Sequence, residues 1–197
     1  MFNDRSSTLD LLRTRRSGRP RDLVEPGPGP DALRQILEIA LRSPDHGKLH
    51  PWRFVHVARD RRAAFAALLH DAYRIDNPDP GRLEGEAVER FAHQAPELIV
   101  ALSSPSPDAK IPIWEQQLSC GAACMNLLLA THALGYAAGW VTGWAAYSDA
   151  VLAAFGAPPE RIAGFIFLGT PGAELEERLR PGYDEVASEW TGEAGRR

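Results

Sequence analysis

A cluster of arginines follows the first predicted helix. In chain order the segment contains Arg13, Arg15, Arg16, Ser17, Gly18, Arg19 and Arg21. Guanidinium groups bind phosphate oxygens through paired hydrogen bonds, and a glycine lets the backbone approach a ligand closely. The segment therefore suits a phosphorylated ligand, although a solvated charged surface would have the same composition.

A polar loop rich in hydrogen-bond donors is predicted over residues 42–54. Its His46 and His50 are spaced i,i+4, which on a helix would place two imidazoles on one face, as a metal site requires. Gly47 and Pro51 interrupt such a helix, and no third ligand stands at a suitable spacing. We therefore expect no metal site, and a loop held by local hydrogen bonds is the simpler interpretation.

Small and bulky residues are mixed in residues 139–144, with the sequence Gly-Trp-Val-Thr-Gly-Trp. Glycines beside large aromatic side chains can leave a flat slot for a planar ring. A packed sheet edge would explain the same pattern.

The usual nucleotide-binding and nucleophile motifs are absent. The sequence has no Gly-x-Gly-x-x-Gly after a strand, no Walker loop and no Gly-x-Ser-x-Gly elbow. Cys120 and Cys124 are four residues apart on a predicted apolar helix. We expect them to be core thiols rather than a redox pair, because free cysteine is among the most buried residue types.

The elements that must position these residues are predicted from hydrophobic periodicity and from Pro and Gly breaks. Helices are predicted at residues 8–15, 31–41, 61–73, 83–93, 113–134 and 149–155. Strands are predicted at residues 54–57, 98–102, 137–144 and 162–168. The polar segment from Glu174 onward is expected to wrap the surface or a partner. The pattern predicts an α+β sandwich with a small sheet of buried strands.

Residues 116–148 contain no Asp, Glu, Lys or Arg. The run is long enough to span a bilayer, but its polar side chains and its helix end near Gly135 argue against a membrane helix. A helix over residues 113–134 would be about 33 Å long, more than this chain needs to cross its own core. Since that helix is apolar on every face, we expect a homodimer packed around it.

The composition is that of a globular protein. The chain has 197 residues, of which 44% are hydrophobic and 24% charged, and this excludes disorder for its bulk. Its 22 Lys and Arg against 26 Asp and Glu give a net charge of −4, which argues against a general nucleic-acid binder. We expect one domain over residues 1–197, no disulfide framework and, without a signal-peptide pattern, a cytoplasmic protein.

Five segments together resemble the FMN-dependent nitroreductase family and its YdjA-like branch. They are Arg15-Arg16-Ser17, residues 42–54, Trp114-Glu115, residues 134–143 and residues 167–171. Their order and spacing are those of the family, and the resemblance covers nearly the whole chain. It implies a nitroreductase-like α+β sandwich with a small, mostly antiparallel sheet flanked by helices. It also implies a long buried central helix and an intertwined homodimer with FMN at the subunit interface.

The resemblance places the cofactor's phosphate at the arginine cluster. Arg15, Arg16 and Ser17 would hold the ribityl phosphate and the edge of the flavin ring. Arg19 would lie near N1 and the C2 carbonyl of the ring, where a cation favours the anionic reduced flavin.

Other positions follow from the same resemblance. Arg42 and His46 would reach the cofactor from the second subunit. The opposite side of the ring would be lined by Trp140, Val141 and Thr142, and the phosphate would be closed in by Arg178 and Arg180. Larger relatives carry Asn and Gln where this chain has His46 and His50, a difference that affects substrate preference rather than FMN binding.

The implied activity is reduction of small oxidised organic compounds, such as nitroaromatics or quinones, with NAD(P)H in a ping-pong hydride mechanism. No side chain is expected to be catalytic, because the flavin carries the chemistry. Two alternatives stay open: a flavoprotein that stores FMN or senses redox state, and an arginine-arm nucleic-acid binder. The resemblance favours the enzyme, with neither nucleic acid nor membrane as a partner.

Overall fold

The computed structural model describes residues 2–79 and 81–192, which form a sheet covered by helices on both faces. The helices in these ranges are α1 (Thr8–Thr14), α2 (Pro30–Ala40), α3 (Arg62–Asp76), α4 (Arg82–Ala92), α5 (Ile113–Ala133), α6 (Asp149–Leu152) and α7 (Tyr183–Val186). The strands are β1 (Leu23–Val24), β2 (Trp52–His56), β3 (Glu97–Ser103), β4 (Ala137–Val141) and β5 (Arg161–Pro171).

β5 is the centre of the sheet. It pairs with β3 along most of its length, with β4 over residues 165–169 and with β1 at its end, while β2 pairs with β3. Every one of these pairings is antiparallel. The small antiparallel sheet that the resemblance implied is confirmed.

Alternate residues of the two central strands face two different cores. Leu98 and Val100 of β3 join Phe165 and Phe167 of β5 in a cluster with α3 and α4. Their sequence neighbours, among them Ile99, point to the opposite face and pack with α2 and α5. Both faces of these strands are therefore buried, as their unbroken apolar runs predict.

The central helix α5 is confirmed, and it is one residue shorter than predicted. Its inner face is buried against the sheet and α2, and Cys120, Cys124 and Leu127 are fully or almost fully buried there. Near its N-terminus, however, Trp114 and Leu118 are 67% and 53% exposed. One chain thus leaves part of the helix's apolar surface uncovered.

After β4 the chain leaves the sheet earlier than predicted. The strand ends at Val141 rather than at residue 144, because Gly143 has a φ of 80° and a 3₁₀ turn follows at Trp144–Ala146. Glycine adopts this left-handed backbone without strain, and the turn carries the chain away from the sheet.

Within the described ranges, no helix has both the length and the apolar content needed to cross a bilayer.

Candidate functional site

The arginine segment is attached directly to β4. The Gly18 N–H donates to the Ala138 carbonyl at 3.1 Å, and Gly18 is buried. A Cβ atom on Gly139 would collide with the Gly18 carbonyl oxygen, so this approach requires glycine at position 139. The contact places Ser17 and Arg19 beside Trp140.

Polar contacts fix the start of α1 and the residues that follow its end. The helix is capped by Ser7, whose Oγ accepts from the Asp10 N–H at 3.1 Å. The Arg16 backbone N–H donates to Asn3 Oδ1 at 2.8 Å, and its guanidinium stacks over the Phe2 ring at 5.1 Å. Residues 15–17 are therefore held in place from their N-terminal side.

Between this segment and β4 lies a cavity of about 490 Å³, which we call the ring cavity. It is lined by Ser17, Gly18, Arg19, Pro20, Arg21, Phe91, Gln94, Gly139, Trp140, Val141 and Arg178. The Trp140 indole N–H donates to the Ala163 carbonyl at 3.0 Å, which fixes the orientation of that ring. The volume lies within the range of small-molecule sites, and one wall is flat and aromatic.

Three arginines converge at one side of the ring cavity. Burial, and then repulsion from Arg180 and Arg16, lower the pKa of the half-buried Arg15 guanidinium. Among the described residues, the Arg15 side chain donates to Ser17 Oγ at 3.2 Å. The guanidinium groups therefore repel one another here. Binding of an anion such as a phosphate would reduce that repulsion.

Carboxylates of the C-terminal tail contact Arg16 and the nearby Arg19. Glu177 forms an ion pair with Arg16, and Glu176 forms one with Arg19. Arg16 Nε is nevertheless buried without a hydrogen-bond partner in the described part of the chain. The arginines already bind anionic oxygens, and the buried Arg16 Nε can donate one more hydrogen bond. These residues therefore fit the phosphate of a cofactor.

His132, in the last turn of α5, lies beneath the arginines. It is fully buried, and neither ring nitrogen has a hydrogen-bond partner within the residues described. Burial, with repulsion from Arg15, lowers the pKa of His132 to about 4. The imidazole is therefore neutral at pH 7 and adds no charge to the cluster.

The predicted residues fall into two groups in one chain. Arg15, Arg16, Ser17, Arg19, Trp140, Val141, Arg178 and Arg180 lie at or beside the ring cavity. Thr142 lines the neighbouring pocket instead. His46 is exposed at the opposite end of α5, where its Nδ1 is 2.8 Å from Glu115 Oε2. Arg42 is exposed just after α2, and its neighbour Ser43 accepts at Oγ from Asn126 Nδ2 at 2.9 Å.

That separation is large. The seventeen residues from Glu115 to His132 span about 26 Å of helix. A single chain therefore does not bring His46 to its own arginine cluster.

Sequence reasoning missed several residues of the site. Phe91 and Gln94 line the ring cavity, yet α4 appears in the sequence only as an amphipathic helix, which does not say what its end faces. The tail carboxylates Glu176 and Glu177 were visible as a charge run, but not as partners of arginines about 160 residues earlier.

The cysteines and histidines show no competing site. Cys120 and Cys124 are free and buried, as expected of core thiols. Within residues 2–79 and 81–192, no group of three or more His, Cys, Asp or Glu side chains could hold a metal ion.

Comparisons with known proteins agree with this geometry. A protein of Haemophilus influenzae, named "Putative NAD(P)H nitroreductase", is 37% identical over 172 residues, covering 86% of this chain and 91% of the relative. The similarly named YdjA of Escherichia coli K12 is 34% identical over 164 residues, covering 83% and 87%.

A solved structure gives the same result. A Desulfovibrio desulfuricans protein in complex with FMN has a TM-score of 0.68 at 25% identity, covering 92% of this chain and 95% of that one. The model of the nitroreductase family matches residues 12–170. The family model matches most of the chain, and the two relatives exceed 30% identity over most of its length; the chain therefore belongs to the nitroreductase family.

Proposed function

We propose that this protein is an FMN-dependent oxidoreductase that uses NAD(P)H to reduce small oxidised organic compounds such as nitroaromatics or quinones. The observation that carries the proposal is the convergence of Arg15, Arg16 and Arg180 beside the ring cavity of a nitroreductase-family chain. The NAD(P)H in the names of the curated relatives and the FMN in the Desulfovibrio structure support the same cofactors.

The arginine cluster would hold the phosphate. Arg15 and Arg16 would donate charge-assisted hydrogen bonds, with Ser17 adding a hydroxyl. Arg178 and Arg180 would close over the phosphate from the tail. A phosphate could bind the buried Arg16 Nε beside Glu177, which pairs with the Nη2 atom of the same guanidinium.

The ring cavity would hold the isoalloxazine. Trp140 and Val141 line one wall and Arg19 lies at the other, where its charge would favour an electron-rich ring. Thr142 follows at the rim. FMN, when bound, supplies the redox step by taking a hydride from NAD(P)H and passing electrons to the acceptor. The chain's part is binding, orientation and electrostatics, so no protein nucleophile is needed.

The site would be completed by a second copy of the chain. If two α5 helices pack antiparallel, the end of one that carries His46 lies beside the Arg15 end of the other, and Arg42 would approach the same site from the end of α2. This packing would also cover Trp114 and Leu118, which one chain leaves exposed. A homodimer thus accounts for the exposed apolar surface and for the separation of the two groups of residues.

The first test is direct. The purified protein should be yellow, with flavin absorbance that NADH or NADPH bleaches without oxygen and that nitrobenzene or a quinone restores. A flavin that neither nicotinamide reduces would instead indicate a storage or redox-sensing flavoprotein. A colourless protein that takes up no added FMN would contradict both. Cytoplasmic location and one domain over residues 1–197 stay predictions.

The arginines are tested by Arg15→Ala and Arg16→Ala, with Arg13→Ala as the matched control because Arg13 is exposed in the last turn of α1. Losing one charge-assisted contact of about 1.5 to 3 kcal/mol weakens FMN binding roughly 10- to 150-fold. Bound flavin per chain is measured after dialysis. Equal occupancy in all three variants would mean that the cluster is only a solvated surface.

A further inference from the structure

A second pocket, which we call the apolar slot, adjoins the ring cavity. Its volume is about 290 Å³, and it lies between α3, α4 and the turn that follows β4. Its walls include Tyr73, Glu84, Ala87, Phe91, Thr142 and Trp144.

The aromatic walls of the slot are fixed by other contacts. The Trp144 indole N–H donates to Asp76 Oδ2 at 2.8 Å, and its ring meets Tyr73 edge-to-face with centroids 4.7 Å apart. Phe91 packs edge-to-face on Phe165 and Phe167 of β5, at 5.2 and 5.3 Å. Since these rings are held from outside, the slot is formed before any ligand enters.

The slot lies directly beside the ring cavity. Phe91 lines both, and the backbone passes from Val141 in the wall of the cavity to Thr142 in the wall of the slot. A ligand in the slot would therefore lie next to whatever occupies the ring cavity.

The charge of the two pockets differs in sign. The ring cavity is bordered by Arg19, Arg21 and Arg178, whereas the one acidic or basic residue among the described residues lining the slot is Glu84. A ligand carboxylate in the slot would lose hydration against apolar walls and would face a like charge. An uncharged aromatic ring meets neither cost.

We propose that the apolar slot binds the ring of the electron acceptor and selects uncharged aromatic acceptors over carboxylated ones. The redox part rests on the proposed function, but the binding part does not. For a nitroaromatic, two electrons and two protons convert the nitro group to a nitroso group and water, while NAD(P)H is oxidised to NAD(P)⁺.

Binding is measured by equilibrium dialysis of the protein as purified, with nitrobenzene and 4-nitrobenzoate as probes. Nitrobenzene is expected to bind about tenfold more tightly. Glu84→Lys should reduce that preference about fivefold, because it replaces repulsion with attraction. Glu89→Lys is the matched control: it makes the same charge change on α4, at a residue that contacts His70 and His93 outside the slot.

A steric variant tests the place of binding. Ala87 is exposed on α4 and lines the slot, so Ala87→Trp should fill it and weaken nitrobenzene binding at least about tenfold. Glu89→Trp adds the same bulk to the same helix outside the slot and should leave binding unchanged. Equal effects of the paired variants, in either the charge or the steric test, would overturn the proposal.

The two proposals fail separately. Turnover with each probe, measured as kcat/KM, should show the same preference as dialysis. Discrimination in dialysis by a protein without flavin would keep the slot and contradict the proposed enzyme. Turnover without discrimination between the probes would keep the enzyme and contradict the slot.

Discussion

Two arginines of this protein are withdrawn from water and are compensated in different ways. Arg62 is 3% exposed, and its guanidinium donates to the carbonyls of Val57, Ala92, Gln94 and Pro96. Burial lowers the pKa of Arg62 to about 10, so it stays charged at neutral pH. Its donors are directed to the backbone, whereas the Arg15 side chain donates to Ser17 Oγ, and this difference distinguishes a structural arginine from the one proposed to bind phosphate.

Replacing Arg62 should destabilise the fold. Arg62→Met leaves buried carbonyls without donors at the end of α4 and the start of β3, and we expect the free energy of unfolding to fall by about 3 kcal/mol. The measurement is urea unfolding at pH 7. Arg61→Met, at an exposed neighbour, is the control and should change it by less than about 0.5 kcal/mol. Similar losses in the two variants would show that the carbonyl contacts of Arg62 contribute little.

His132 should make the fold sensitive to mild acid. Its pKa is about 4 in the folded protein against 6.5 for an unperturbed histidine, so the unfolded chain binds the proton first as pH falls. Stability is therefore complete above pH 6.5 and lost towards pH 4, by about 2 kcal/mol at pH 5. Glu160, whose pKa is lowered to about 2 chiefly by Arg53, loses its contribution only below pH 4.5.

The test compares urea unfolding at pH 7 and pH 5. His132→Gln should remove most of the loss in the wild type, whatever its effect on stability at pH 7. The control His50→Asn alters an exposed histidine with a φ of 50°, a conformation that asparagine tolerates, and should keep the full loss. A wild-type loss that persists in His132→Gln would assign the acid sensitivity to other groups.

The elements show which parts of the site depend on local sequence. Hydrophobic periodicity predicted α2 to α5 and β3 to within a few residues. Each helix shows its buried side as apolar residues at helical spacing, and β3 is an unbroken apolar run because both its faces are buried. Periodicity missed β1, which has two residues and pairs with Thr170 and Pro171 far along the chain. Phosphate chemistry singles out the arginine segment as a candidate site, and that role stays a prediction. Phe91 and the tail carboxylates reach the site only through tertiary contacts, which no local pattern encodes.

The contact between the arginine segment and β4 should depend on the absence of a side chain at Gly139. Gly139→Ala would push the Gly18 carbonyl away and shift Ser17 and Arg19, so we expect lower stability and less bound flavin. Bound flavin per chain and the unfolding midpoint are measured together. Gly29→Ala is the control, because nothing lies within 4 Å of the added Cβ. Normal flavin content in Gly139→Ala would show that this contact does not position the site.

At the scale of the whole molecule, the shared site can be tested by complementation. Arg15→Ala and Arg42→Ala homodimers should both retain FMN poorly. After mild dissociation and mixing, a heterodimer should have one site with neither change and one with both, because in the proposed dimer each site would take Arg15 and Arg42 from different chains. Roughly a quarter of the sites should recover FMN, since half of randomly formed dimers are mixed. No recovery despite proven subunit exchange would place both residues in a site within one chain.

The position of β5 in the chain has a consequence for synthesis on the ribosome. In the described part of the chain, three of the four strand pairings involve β5, which follows the other four strands. Of these pairings, only β2–β3 can form before residue 161 is made. At 5–20 residues per second, the nascent chain needs roughly 8 to 32 seconds to reach that residue. Both cores lack their central strand during this time, and the apolar segments of β3 and α5 stay exposed. A chain with this topology must fold after translation of β5 and is a natural client for chaperones that bind exposed apolar segments.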